Sequence, residues 1–198
     1  MPIVSLKTGT KSRSLLVGNT AFSPSSYESI ATVTVGSGGS ATVEFTSIPS
    51  TYSHLQVRFI GRSNYNTTGQ DNLVMKINSD SGSNYAEHYL SGNGSSPDAG
   101  SQSSINTLPF RECLVRDGNS ASIFSTGIID FLDYKSTNKN KTVRALFGND
   151  RNGAGYVALG SGLYFATPAA ITTITFTVES SRSFVQYSQF ALYGIKGS

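Results

Sequence analysis

Apolar and polar residues alternate with a period of two along most of this chain. Ala41, Val43 and Phe45 interleave with Thr42, Glu44 and Thr46, and Leu55, Val57 and Phe59 interleave with His54, Gln56 and Arg58. Leu73, Met75 and Ile77 repeat the spacing. Side chains two residues apart share one face of an extended strand, so each run predicts a strand with one face toward a core. The β-branched run 30–35 pairs with 41–46 across Gly36-Ser37-Gly38-Gly39 as a hairpin signal. Further strands are predicted at 85–90, 110–116, 123–134, 142–148, 155–165, 171–178 and 184–195, separated by turn residues such as Asp117-Gly118-Asn119 and Asn149 to Gly153. Residues 91–107 are rich in Gly, Ser, Asn and Pro and predict the longest loop. About nine or ten short strands with no amphipathic helix indicate an all-β fold, an antiparallel β-sandwich with jelly-roll-like character, preferably two four-stranded sheets. No internal repeat argues for a propeller or solenoid.

Residues 1–27 break the pattern. A polar basic stretch, 7–14, precedes Leu15-Leu16-Val17, and Gly18-Asn19 closes the run. This segment is expected to be an extended N-terminal arm, reaching on the order of 90 Å if fully stretched. Residues 28–198 form the sandwich domain. Composition strengthens the core: hydrophobic residues make up only 37% of the 198, but ten Tyr and eleven Phe supply large buried area. A body of about 170 residues buries roughly 70% of its unfolded surface, so it needs neither disulfide nor metal to fold.

Charge separates the same two parts. The net charge is +3, and the arm carries Lys7, Lys11 and Arg13 with no acid. Setting those three aside leaves twelve basic residues against twelve acidic ones. A neutral body has no electrostatic footprint for nucleic acid. The first residues lack the apolar core of a signal peptide, and no apolar run approaches about 20 residues, so no membrane association is expected.

Candidate chemistry is sparse. Cys113, the single cysteine, sits in a strand-like run and reads as a buried structural thiol. His54 and His88 lack zinc-ligand spacing. No G-x-S-x-G elbow is present. The pairs Gly36/Gly38 and Gly153/Gly155 lie between strands rather than before a helix, where a phosphate cradle would need them. Asp130 and Asp133, three apart in a strand run, are expected on opposite faces. Catalytic residues, cofactors and a metal are therefore not expected, although a loop calcium site drawing on Asp71, Asp80 or Asp150 stays open. Tyr52, Tyr65, Tyr85, Tyr89 and Tyr156 fall near loops or strand ends. They either cap the core, meet other subunits, or form a platform for sugar rings.

Several phrases carry a family likeness: Lys11 to Asn19, Tyr27 to Val33, Phe45-Thr46-Ser47-Ile48-Pro49, His54 to Val57, Asp80 to Tyr85, and the closing Phe190 to Gly197. Together they resemble small β-sandwich virion proteins of tailed bacteriophages, particularly those of cyanophage-like genomes. The resemblance implies a virion location and a structural, non-enzymatic role in head or tail. The leading expectation is a capsid decoration, or cement, protein. Its body would be a homotrimer. Its arm would engage the major capsid protein or other virion proteins, with Leu15, Leu16 and Val17 in an apolar groove or on a sheet edge and Lys7, Lys11 and Arg13 on surface carboxylates. The alternative is a tail fibre or baseplate receptor-binding protein, in which loops 62–71 and 91–107, with Tyr65 and Tyr85, would contact host-surface carbohydrate.

Overall fold

Alternation is realised strand by strand. The computed structural model describes residues 15–17, 20–22 and 26–197. Its strands are β1 (Leu15–Val17), β2 (Thr20–Phe22), β3 (Tyr27–Thr34), β4 (Thr42–Phe45), β5 (His54–Ser63), β6 (Gln70–Ile77) and β7 (Tyr85–Gly92). They continue with β8 (Pro97–Ile105), β9 (Leu108–Arg116), β10 (Ser125–Phe131), β11 (Lys141–Asp150), β12 (Gly155–Tyr164), β13 (Ile174–Val178) and β14 (Gln189–Ile195). The only helical element among the described residues is the 3-10 turn Glu179–Ser181. The fold is all-β and sandwich-like.

Twelve strands divide between two sheets. The large sheet runs β3-β14-β5-β10-β11-β12-β7-β8, antiparallel throughout. The small sheet runs β4-β13-β6-β9, also antiparallel, so β3 and β4 lie in different sheets and do not form the hairpin expected across Gly36 to Gly39. They join at one corner, where Arg62 and Ser63 at the end of β5 pair in parallel with Val115 and Arg116 of β9. The sheets thus hold eight and four strands rather than four each. One of the additional strands is β8, within the stretch expected to be a loop. Pro97–Ile105 pairs along β7 after a tight turn in which Asn93 Oδ1 accepts from the backbone N–H groups of Ser95 and Ser96. β8 is an edge strand with no buried face, so its Gly and Ser residues show no alternation to read.

The core lies between the sheets. Leu55, Val57, Leu73, Met75, Ile77, Ile174 and Phe176 are fully buried, the first five at the positions their alternation indicated. Phe190 of β14 joins the layers: its ring centroid lies 5.4 Å from Phe59, 5.2 Å from Phe176 and 5.1 Å from Phe184. Gly127 has space reasons for being glycine, since a Cβ there would lie 2.5 Å from the Phe59 ring. Cys113 is buried as expected, and desolvation pushes its thiol pKa well above the usual range, leaving it inert.

In the leader, β1 and β2 form a separate two-stranded sheet with Leu15 opposite Phe22. The apolar run 15–17, expected as extended arm, is therefore one strand of a short hairpin. Lys7, Lys11 and Arg13 lie outside the described residues.

Asp80 fixes the turn between β6 and β7. Its carboxylate accepts from Gly82 N at 2.7 Å, Asn84 Nδ2 at 2.8 Å and the Tyr164 hydroxyl at 3.0 Å. The Gly82 N–H, followed by Asn84, lowers its pKa below the ordinary 3.8. A carboxyl whose pKa is lowered on folding adds stability above its unfolded pKa and loses it as pH falls through the folded value. Urea midpoints measured from pH 6 to pH 2.5 are expected to fall on this acid limb. Asp80→Asn should lower the midpoint at pH 6 and flatten the limb; an unchanged limb would remove Asp80 from the account.

Candidate functional site

A strand half-buried in a sandwich should alternate apolar-in with polar-out. Four adjacent strands of the large sheet depart from that rule. Ala145, Phe147, Ile129 and Ala158 face the core, yet the outward positions between them are also aliphatic. Leu90 of β7 stands opposite Leu159 of β12, Leu159 opposite Leu146 of β11, and Leu146 opposite Ile128 of β10. All four reach solvent, with exposures of 54%, 49%, 50% and 38% in that order. Directly opposed side chains on neighbouring strands touch, and strands lie about 4.8 Å apart, so the row crosses about 15 Å of the outer face. Val157, the most exposed of these aliphatics at 63%, and Leu163 extend it. Beyond Ile128 the same line meets Arg58, and a polar rim begins where Asp130 binds Gln56 Nε2 and Arg144. A contiguous apolar patch with a polar border marks an interaction surface. The signal in the sequence is Ile128-Ile129 and Ala145-Leu146-Phe147, where consecutive apolar residues imply a strand apolar on both faces.

The tyrosines nominated for carbohydrate fare differently. Tyr85 is fully buried: its hydroxyl accepts from Ile77 N at 3.0 Å and lies 3.2 Å from the carbonyl oxygens of Ile77 and Asp80. Burial pushes its pKa to about 12. It is a core residue, because the inward face of β7 begins at that position, and it is withdrawn as a glycan contact. Tyr65 is partly exposed, but guanidinium groups pack over its ring, Arg182 at 3.5 Å and Arg116 at 4.8 Å from the centroid. Both arginines bind the buried carboxylate of Asp71, which also accepts from the Ser63 hydroxyl. Tyr65 therefore caps a charge cluster rather than offering an open ring.

That cluster also removes Asp71 from any calcium site. Asp80 serves its turn, and Asp150 accepts from Asn152 N. Among the described residues no group of three His, Cys, Asp or Glu side chains is arranged to hold a metal. His54 Nδ1 accepts from Asp133 N at 3.0 Å, a structural role at the end of β10. Of the remaining strand-end tyrosines, Tyr89 and Tyr156 line one polar pocket of about 240 Å³, a convergence that only the pairing of β7 with β12 produces. No helix among the described residues is long and apolar enough to cross a membrane. No family model, curated protein or solved structure matches the chain.

Proposed function

We propose that this chain is a structural subunit of a virus particle, a capsid decoration or cement protein that works by packing against other protein copies. The observation that carries the reading is the aliphatic row on the outer face of the large sheet. Each half-exposed leucine in the row gains roughly 1 kcal/mol when a partner covers it. The sheet beneath is rigid, since every strand of the row is paired on both sides. Covered by neighbouring copies, ultimately as a trimer, the body becomes an oligomeric block.

The leader supplies the second contact. A lone two-stranded hairpin is marginal in water, so β1 and β2 gain by adding to an exposed sheet edge of the major capsid protein or another virion protein. Lys7, Lys11 and Arg13 extend that contact to acidic surface groups. Several leaders carried on one oligomer share an effective concentration near millimolar, which raises avidity by roughly 10²–10⁴-fold.

Light scattering on the purified chain tests the body. Wild type is expected to be oligomeric, and Leu146→Asp with Leu159→Asp to weaken association by at least about 100-fold without unfolding, because both side chains already face solvent. A monomeric wild type, or a double variant that associates equally well, would sink the reading. Removing residues 1–20 should leave a folded body that no longer labels particles in electron micrographs.

A further inference from the structure

We propose that the chain carries a binding site for a neutral oligosaccharide, centred on Tyr89, Tyr156, Asp98 and Glu112. The site goes beyond the assembly role and does not depend on it. The pocket occupies about 240 Å³ where β7, β8, β12 and β9 meet. Through Asn72 and Arg111 it continues into an open groove of about 630 Å³ across the outer face of the small sheet, walled by β8 at Gln102 and by the 3-10 turn. The two together fall in the size range of ligand clefts, about 300–1,000 Å³.

Its side chains are held before any ligand arrives. Tyr89 lies across Gly100, where an added Cβ would sit 2.8 Å from the ring, and the Arg111 guanidinium is 5.1 Å from its centroid. Arg111 is anchored in turn by the buried Glu87 carboxylate, with Nε at 2.8 Å. The Tyr156 hydroxyl accepts from Ser91 Oγ at 3.3 Å, and the neighbouring Glu112 carboxylate raises its pKa. Glu112 itself has a φ of +52°, a left-handed conformation in which Asn72 Oδ1 accepts its N–H at 2.8 Å.

Satisfaction of hydrogen bonds points to the kind of ligand. Glu112 Oε2 is buried and accepts no hydrogen bond. A carboxylate is an acceptor only, so it calls for a donor; leaving it unmet costs about 1–3 kcal/mol or more. A hydroxyl group is such a donor. An anionic ligand would meet the two acids, Asp98 and Glu112. A neutral polyhydroxylated ligand meets no like charge, finds acceptors in the two acids and donors in Arg111 and Asn72, and can lay its C–H face on tyrosine.

The test is an array of neutral hexose and N-acetylhexosamine di- to tetrasaccharides beside their uronate-containing counterparts, followed by calorimetry on the binders. Neutral members are expected to bind. Asp98→Asn and Tyr156→Phe should each weaken binding at least tenfold, whereas Tyr187→Ala, an exposed tyrosine outside the pocket, should not. Thermal unfolding checks each variant. If Tyr156→Phe is unstable, Asp98→Asn decides alone, since Asp98 is exposed on an edge strand. The proposal is overturned if no neutral saccharide binds at millimolar concentration, if only uronate-containing ones bind, or if Asp98→Asn binds as wild type does.

Discussion

Phe190→Ala is expected to lower the unfolding free energy by about 3–5 kcal/mol, the range for emptying a buried aromatic site. The ring is fully buried at the centre of the sandwich and touches Phe59 in its own sheet, Phe176 in the opposite sheet and Phe184 in the segment before β14. Collapse around the cavity is resisted because these neighbours belong to three different segments. Domains of ordinary stability hold about 5–15 kcal/mol in total, so this single change removes a large fraction. Urea unfolding should show a lower midpoint with an unchanged slope. A loss under about 1 kcal/mol would mean that the aromatic cluster does not join the sheets energetically.

Asp71→Asn is expected to have a comparable effect through a different mechanism. Asp71 has no exposed side-chain surface, and it neutralises two guanidinium groups at once, Arg116 through Nε at 2.8 Å and Arg182 through Nη1. An amide keeps the volume but leaves both arginines without their counter-charge. Breaking a buried ion pair by removing one partner costs about 3–5 kcal/mol. Arg116→Ala or Arg182→Ala alone should cost less, because each leaves the other in place. The same substitution should free Tyr65, whose ring rests on both guanidinium groups. The midpoint of chemical unfolding checks the energy, and a cycle with Arg182→Ala checks the coupling. A stable Asp71→Asn protein with Tyr65 still stacked would show that the cluster is held by packing alone.

Elements with one buried face were legible in the sequence. Leu55, Val57 and Phe59, or Leu73, Met75 and Ile77, announce their strand because burial demands a period of two. β8 was not, since an edge strand in contact with solvent on both faces is held by backbone hydrogen bonds that any residue but proline can make. The doubled aliphatic positions of β10, β11 and β12 were visible as residues, but their alignment into one row depends on register, which lies in pairings between distant segments. The pocket was least legible. Tyr89 and Tyr156 are separated by more than sixty positions, and Glu112 takes its place through a backbone conformation that no side-chain pattern encodes. Tyr85 illustrates the converse: a tyrosine beside a turn looks peripheral until the strand places it inward.

The position of β14 bears on how the chain is made. It lies between β3 and β5, hydrogen-bonded to both along its length. Those two strands leave the ribosome early, and the one that must fill the gap between them leaves last of the fourteen. During synthesis the large sheet therefore has an open slot, with two unsatisfied edges and the Phe59 side of the core uncovered. Closure over such sequence separations is slow, and exposed edges with apolar surface favour aggregation. Native packing of the large sheet waits until β14 has emerged, and chaperone demand during expression should rise steeply when the region of Gln189–Ile195 is truncated or delayed.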